Sequence, residues 1–334
     1  MFKNILIIGH SNIGDVCYDL VVVNPLRRRF AGAKISFLTA PRACGIVEGY
    51  KGVDKVFSFD KYAKHRGLFG RLRFMYGLTK QRFDLAIVLP STLMHKFLFV
   101  PCAWSLRKYL RGDPLKKKMH VADIYLEFLR SRGVEAKAAV FDFSWAKEDE
   151  LYAETFLNAN SLSQKDRLIG IHPVPAWSLK SWPIDKWNEL AQVLSHRYGC
   201  KVISFGKSSG DSFGRMVDEK ISREIIIAKG TTLKQAMALI KRCAVFIGPD
   251  SSLLHLASCM QVETIGLYGP TRPEYIYPYF HGNNNITCRE KPACMPCYPD
   301  IEASECKDKL VFGRCMEAIG VEAVLEQVRR YLRL

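Results

Sequence analysis

"AVFIGPDSSLLHLASCMQVETIGLYGPTRP", residues 244–273, contains a complete folding unit. "AVFIG" is a short apolar run of strand length, and Pro249 cannot continue a central strand, so the chain turns there. Asp250, Ser251 and Ser252 are all good N-cap residues for a helix that begins near Ser252 and runs through "LLHLASCM". "VETIGLYGP" then reads as the next strand, closed by a turn at Gly269 and Pro270. Strand, helix and strand in this order predict an α/β fold with a parallel sheet.

The same stretch offers a binding site. The first turn of a helix has free N–H groups and the positive end of the helix dipole, which suits a phosphate or pyrophosphate. Asp250 would repel such an anion, so its expected task is capping or orienting. His255, one turn into the helix, is read either as a partner of the anion or as a histidine satisfied within a helix interface. Thr271 brings a hydroxyl and a backbone amide to the neighbouring turn.

Working outward, "RLIGIHP", "KVISFGK" and "EIIIAKG" supply further buried strands, with "PIDKWNELAQVLSHRYG" as a helix between them. The pattern also occurs earlier, in "NILIIGH", "KISFLTA" and "DLAIVLP", with helices over "RACGIVEGY" and "KHRGLFGRLRFMYGLTKQR". Two doubly wound, Rossmann-like domains are therefore expected to face one another across a cleft, where ligands of such sheets bind. Their boundaries are set at 1–160 and 161–315. The amphipathic segment 316–334 is expected to pack back on the first domain.

Two more turns carry candidate chemistry. "HPVPAWSLKSWP" (172–183) places Lys180 on a loop that enters a helix at Pro183, while Trp182 and Trp187 read as packing residues. "GHSNIGDV" is not a dinucleotide fingerprint, because Gly9 and Gly14 are too far apart. It does place Asp15 at the end of the first strand, as a general base or a helix cap. Asn24 is expected to cap a following helix with Pro25 at its first position.

The 334 residues suit two domains, and 48% hydrophobic with 25% charged residues is the composition of an ordinary globular chain. Forty-nine Lys and Arg against 33 Asp and Glu leave a net charge of +16, which calls for an anionic partner. The charge is concentrated in "KYAKHRGLFGRLRFMYGLTKQR" (61–82), with seven basic residues and no acid, and in "LRKYLRGDPLKKK" (106–118). Phe69, Phe74 and Tyr76 in the first run have helical spacing and read as core, which counts against stacking platforms for nucleic acid. No early segment resembles a signal peptide and no apolar run is long enough to span a membrane, so the expected compartment is the cytosol.

Together, "ILIIGHSNIGDV", "NPLRRRFAGAKISFLT", "IHPVPAWSLKSWPIDKWNELAQVL" and "FIGPDSSLLHLASCMQVETIGLYGPTRPE" resemble glycosyltransferase family 9, the lipopolysaccharide heptosyltransferases, over essentially the whole chain. The resemblance implies a GT-B fold and an inverting, metal-independent transfer of heptose from ADP-heptose to a lipopolysaccharide core acceptor. It implies Asp15 as general base, and Lys180, Asp250, Ser251, Ser252, His255 and Thr271 as the donor site. The absence of an Asp-x-Asp motif agrees with catalysis that needs no metal. Lys61, Lys64 and Arg66 would then meet a phosphorylated acceptor at the cytosolic face of the inner membrane, with the enzyme cytoplasmic and peripheral. Two departures bear on the donor: Ser252 stands where the family usually has glycine, and "FGKSSGD" replaces a Gly-Gly-Pro-x-Glu turn, so that Asp211 takes the place of a glutamate.

Cys294-x2-Cys297, with Cys306 and Cys315, has the spacing of a structural zinc or iron site; a loop of reduced thiols is the other reading. Two rival functions stay open: a related transferase that uses another nucleotide sugar or a protein acceptor, and a basic nucleic-acid-binding protein without catalysis.

Overall fold

Every apolar run read as a strand forms one in the structure, a computed structural model that describes residues 2–111, 119–206, 217, 219–274, 276–297 and 313–332. The chain divides into two units, Met1–Ser144 and Trp145–Leu334.

In the first unit the strands are β1 (Asn4–Ile8), β2 (Lys34–Thr39), β3 (Lys55–Ser58), β4 (Leu85–Val88) and β5 (Cys102–Ser105). They form one parallel sheet in the order β3-β2-β1-β4-β5. Ile5, Leu6, Ile7, Leu85, Ala86, Ile87 and Val88 are fully buried, as strands covered on both faces must be. The helices are α1 (Ile13–Asp19), α2 (Val23–Arg29), α3 (Pro41–Glu48), α4 (Gly67–Thr79), α5 (Leu106–Leu110) and α6 (Val121–Arg130). The strand order reverses between β1 and β4, so the loop after β1 stands at the switch point where such sheets bind ligands. Asn24 is not a cap: α2 starts one residue earlier, at Val23, and the Asn24 amide instead donates to the Val140 carbonyl, 3.2 Å away.

The second unit begins with α7 (Lys147–Ala159) and continues through β6 (Leu168–Ile171), α8 (Ile184–Tyr198), β7 (Lys201–Ser204), β8 (Ile225–Ile227), α9 (Leu233–Ile240), β9 (Val245–Pro249), α10 (Ser252–Cys259), β10 (Glu263–Tyr268) and β11 (Asn285–Thr287). Two helices end it, α11 (Arg314–Glu317) and α12 (Val321–Leu332). Its six parallel strands run β11-β10-β9-β6-β7-β8, with the reversal between β6 and β9. Local signals set the helix ends. Thr232 and Gln235 form a reciprocal capping box at the start of α9, and Gly199, at φ +64°, ends α8 in the left-handed conformation that glycine adopts without strain.

Two boundaries differ from the sequence reading. The helix α7, placed in the first domain, belongs to the second unit, where it packs on α9 and Glu154 pairs with Arg242 at 3.4 Å. The terminal helix also belongs to the second unit: Val321, Val324, Leu325 and Val328 join the core that contains Trp182, Trp187 and Ile265. An amphipathic stripe specifies that a helix must be covered but not by which sheet.

Candidate functional site

Three of the sequence-predicted turns leave neighbouring strands. Leu267 pairs with Pro249 across β10 and β9, and Ile171 pairs with Ile247 across β6 and β9, so the loops after β6, β9 and β10 emerge side by side at the switch point. The loop after β6 is anchored by Trp182, which is buried in a T-shaped contact with Trp187 at 4.9 Å and donates its indole N–H to the Ile319 carbonyl at 3.0 Å. Beside it, Gly206 has φ +117°, and a side chain there would come within 2.8 Å of the His172 ring, so this close approach needs glycine.

Lys180, Asp250 and His255 form one buried assembly. Lys180 Nζ donates to Asp250 Oδ2 at 2.6 Å and to the Asp250 carbonyl at 3.1 Å, and its ammonium lies 5.8 Å from the centre of the Trp177 ring. His255 Nε2 sits 2.8 Å from Asp250 Oδ1. The three side chains are 20%, 11% and 5% exposed. Burial acts to raise the Asp250 carboxyl, but the His255 hydrogen bond and the Lys180 charge outweigh it and hold the carboxyl well below the usual carboxylate range. Asp250 is therefore an ionised spacer that fixes the heads of Lys180 and His255. Lys180 uses two of its three N–H donors in this pair.

The turn at the start of α10 differs from a capped helix. Ser251 is the N-cap by backbone conformation, yet its side chain makes no capping bond, and Asp250 is engaged elsewhere. The Ser251 and Thr271 hydroxyl oxygens are buried without a hydrogen-bond partner among the described residues. The two hydroxyls stand on adjacent turns beside the N-terminus of α10, where free N–H groups and the helix dipole favour negative charge. Ser252, the first residue of the helix, is half-buried in the same turn.

In the first unit, Asp15 is half-buried in the first turn of α1, where Asn12 donates to its Oδ2 at 3.2 Å. The structure adds a pair that the sequence reading missed. Asp19, fully buried, accepts from the His10 backbone N–H at 2.6 Å and lies 2.8 Å from His10 Nδ1. Gly9 allows this, because a side chain there would meet the Phe37 ring at 2.5 Å and Asp19 Oδ2 at 2.8 Å. Burial acts to lower the His10 ring, but the Asp19 charge and hydrogen bond outweigh it and raise the ring above its ordinary value. Burial also pushes the Asp19 carboxyl up, against the His10 charge and hydrogen bonds that act to lower it, so the titrations of the two groups are linked. The signal available in sequence was a histidine at the end of a buried strand and an aspartate one turn after Asp15.

Lys61, Lys64 and Arg66 are exposed in the turn that leads from β3 to α4, and β3 is two strands away from β1. The reading of Phe69 and Tyr76 as core is corrected: they are 87% and 63% exposed, and of that set only Phe74 packs on the sheet. Asp211, Cys306 and residues 112–118 lie outside the described residues. Cys294 and Cys297 are half-buried and Cys315 is buried; among the described residues no three His, Cys, Asp or Glu side chains are grouped to hold a metal ion. No helix among them is long and apolar enough to cross a membrane.

Comparison with known proteins bears on the family and the fold. The model of glycosyltransferase family 9 (heptosyltransferase) matches residues 71–307. The chain is 24% identical to the lipopolysaccharide core heptosyltransferase OpsX of Haemophilus influenzae, over 98% of this chain and 96% of the relative. Among solved structures, a glycosyl transferase of family 9 from Veillonella parvula superposes with a TM-score of 0.83 at 21% identity, covering 99% of this chain and 97% of that one. The E. coli heptosyltransferase WaaC, solved with ADP, superposes with a TM-score of 0.71 at 17% identity, covering 98% and 100%. At these identities the superpositions speak for the fold, which is of the GT-B class. With the family model matched over most of its length, the chain belongs to glycosyltransferase family 9, the heptosyltransferases.

Proposed function

We propose that this glycosyltransferase moves a heptose from ADP-heptose to a lipopolysaccharide core acceptor, with inversion and without a catalytic metal. The observation that carries the donor side is the pair of buried, unpartnered hydroxyls of Ser251 and Thr271, at the N-terminus of α10 and on the turn beside it. A pyrophosphate satisfies them, and the remaining N–H of Lys180 and the free amides of the helix stabilise its charge. His255 is held toward the same anion by Asp250.

In the reaction, the acceptor hydroxyl oxygen forms a bond to the anomeric carbon while the bond from that carbon to the phosphate oxygen breaks. Asp15 takes the hydroxyl proton, and ADP leaves with the electron pair. Lys61, Lys64 and Arg66 attract acceptor phosphates, with the enzyme at the cytosolic face of the inner membrane.

A structural metal on Cys294, Cys297, Cys306 and Cys315 is part of the same proposal. The Cys315 thiol is pushed up to about 12, first by burial and then by its neighbours Cys297 and Cys288, so a cation there would displace protons from crowded thiols. The Cys297 N–H donates to the Pro270 carbonyl at 3.0 Å, which ties this loop to the Gly269–Thr271 turn. Metal content of the purified protein tests it.

The donor assignment is tested by calorimetric titration with ADP in EDTA, beside UDP, GDP and NAD, on the wild type and Lys180→Ala. Selective binding of ADP that survives chelation and weakens in the variant is expected. Binding of a different nucleotide instead would move the assignment to a related transferase, a reading that Ser252 and Asp211 also keep in view.

A further inference from the structure

Among the described residues twelve large hydrophobic side chains are exposed, and eight of them fall between Tyr62 and Phe99. Scattered single exposures are ordinary in folded proteins; this concentration is not. The helix α4 is apolar on two faces. Phe74, Met75 and Leu78 face inward to the cluster formed by Leu6, Phe83 and Val88. Leu68 (69% exposed), Phe69 (87%), Leu72 (54%) and Tyr76 (63%) stand on the outside at spacings of three and four, which makes them a continuous outer stripe. The 3-10 turn Met94–Leu98 touches α4 and packs on the same inner cluster, and it adds the exposed rings of Phe97 (65%) and Phe99 (85%).

The charge around this stripe has one sign. The seven basic residues of 61–82 include Arg71 and Arg73 on α4 itself, and no acidic residue interrupts them. Among the described residues none of the seven is within ion-pair distance of a carboxylate, although Lys80 lies over the Tyr76 ring at 4.5 Å and Lys61 over Tyr62 at 4.8 Å. A cleft of about 550 Å³ beside α4 joins both chemistries, with Phe57, Phe74 and Leu78 among its lining residues together with Lys64 and Arg73.

We infer that the outer face of α4 and the Met94–Phe99 turn form a surface that docks on an anionic lipid bilayer, with the aromatic and leucine side chains entering the headgroup and acyl boundary and the flanking Lys and Arg held at the phosphates. The inference deepens the membrane side of the function proposed above. An interfacial helix needs this combination of apolar stripe and cationic flanks. A second copy of the chain would bring like-signed patches together across a self-complementary contact, which costs energy rather than gains it. Single-stranded nucleic acid would use the aromatic rings but has no use for Leu68 and Leu72.

The test is flotation of the full chain with phosphatidylcholine vesicles, with and without phosphatidylglycerol, for the wild type, Phe69→Ser/Leu72→Ser and Arg71→Gln/Arg73→Gln. All four positions are exposed, and circular dichroism checks that the variants fold. Wild-type protein is expected on the anionic vesicles and much less on the neutral ones. The apolar double variant should partition about tenfold less at any salt concentration, and the arginine variant should lose binding chiefly at low salt. Equal partitioning of the wild type and the apolar variant would overturn the inference. So would a dimer in sedimentation, or binding of an oligonucleotide, that the apolar variant abolishes while vesicle binding stays unchanged. Calorimetry with ADP on the same variants separates this outcome from a failure of the donor assignment, since none of the four residues belongs to the donor site.

Discussion

Each unit of this protein holds a histidine 2.8 Å from a buried aspartate, near the switch point of a parallel sheet, yet the two pairs differ in charge balance. Asp250 also receives Lys180, and its carboxyl is held far down. Asp19 has His10 and no lysine, and burial outweighs the lowering action of the His10 charge and hydrogen bonds, so its carboxyl is pushed up. The added lysine fixes one carboxylate as an ionised spacer between the heads of Lys180 and His255, while the other carboxylate has its histidine alone as counter-charge. The difference follows from partners, not from depth, because both carboxylates are taken out of water.

Predictions bear on this contrast in order of size. The largest is kinetic: Asp15→Asn should lower kcat by about 100-fold to 10,000-fold with little change in KM for the donor, measured by ADP release. A drop confined to KM would remove the base from the first unit. Next is stability. Asp250→Ala leaves a buried lysine without its partner and should cost about 3–5 kcal/mol in urea unfolding, more than Asp19→Asn, which retains much of the hydrogen bonding. The reverse order would break the comparison.

The pH dependence separates the pairs by sign. The depressed Asp250 carboxyl contributes stability above its ordinary value, and this is lost as pH falls through the folded-state value. The raised His10 ring contributes stability below its ordinary value, which is lost as pH rises through the folded-state value. Unfolding at a series of pH values should show the acid limb change in Asp250→Asn and the near-neutral limb in Asp19→Asn. NMR titration should find His10 above its ordinary value in the wild type and lower in Asp19→Asn, where the Asp19 charge no longer opposes burial. The smallest effect belongs to exposed charge: Lys61→Gln/Lys64→Gln should raise the KM for a phosphorylated acceptor a few-fold at low salt and less at high salt. An effect independent of salt would mean contact rather than attraction.

Parallel strands and their turns were legible in the sequence because a strand buried on both faces is written as an uninterrupted apolar run, and a turn as Gly, Pro, Asp or Ser. Thus β1, β2, β4 and all of β6 to β10 were marked, and so were the loops that hold Asp15, Lys180, Asp250 and Thr271. The strands β3, β5 and β11 were not, since each lies at a sheet edge with at most one buried residue, so no strand covered on both faces is written there. His10 with Asp19 was missed because a partner nine residues away depends on how the chain turns at Gly9.

By itself, the sequence determined the α/β class, the order of the turns and the excess of positive charge, all of which depend on local pattern and composition. Only the tertiary structure decided that α12 covers the second unit, that Lys180 and His255 share one carboxylate, and that Phe69 and Tyr76 face outward. Helical periodicity tells which side chains share a face, but a helix with two apolar faces buries the one that its neighbours can reach. That choice is made by packing between distant segments, which no local spacing records.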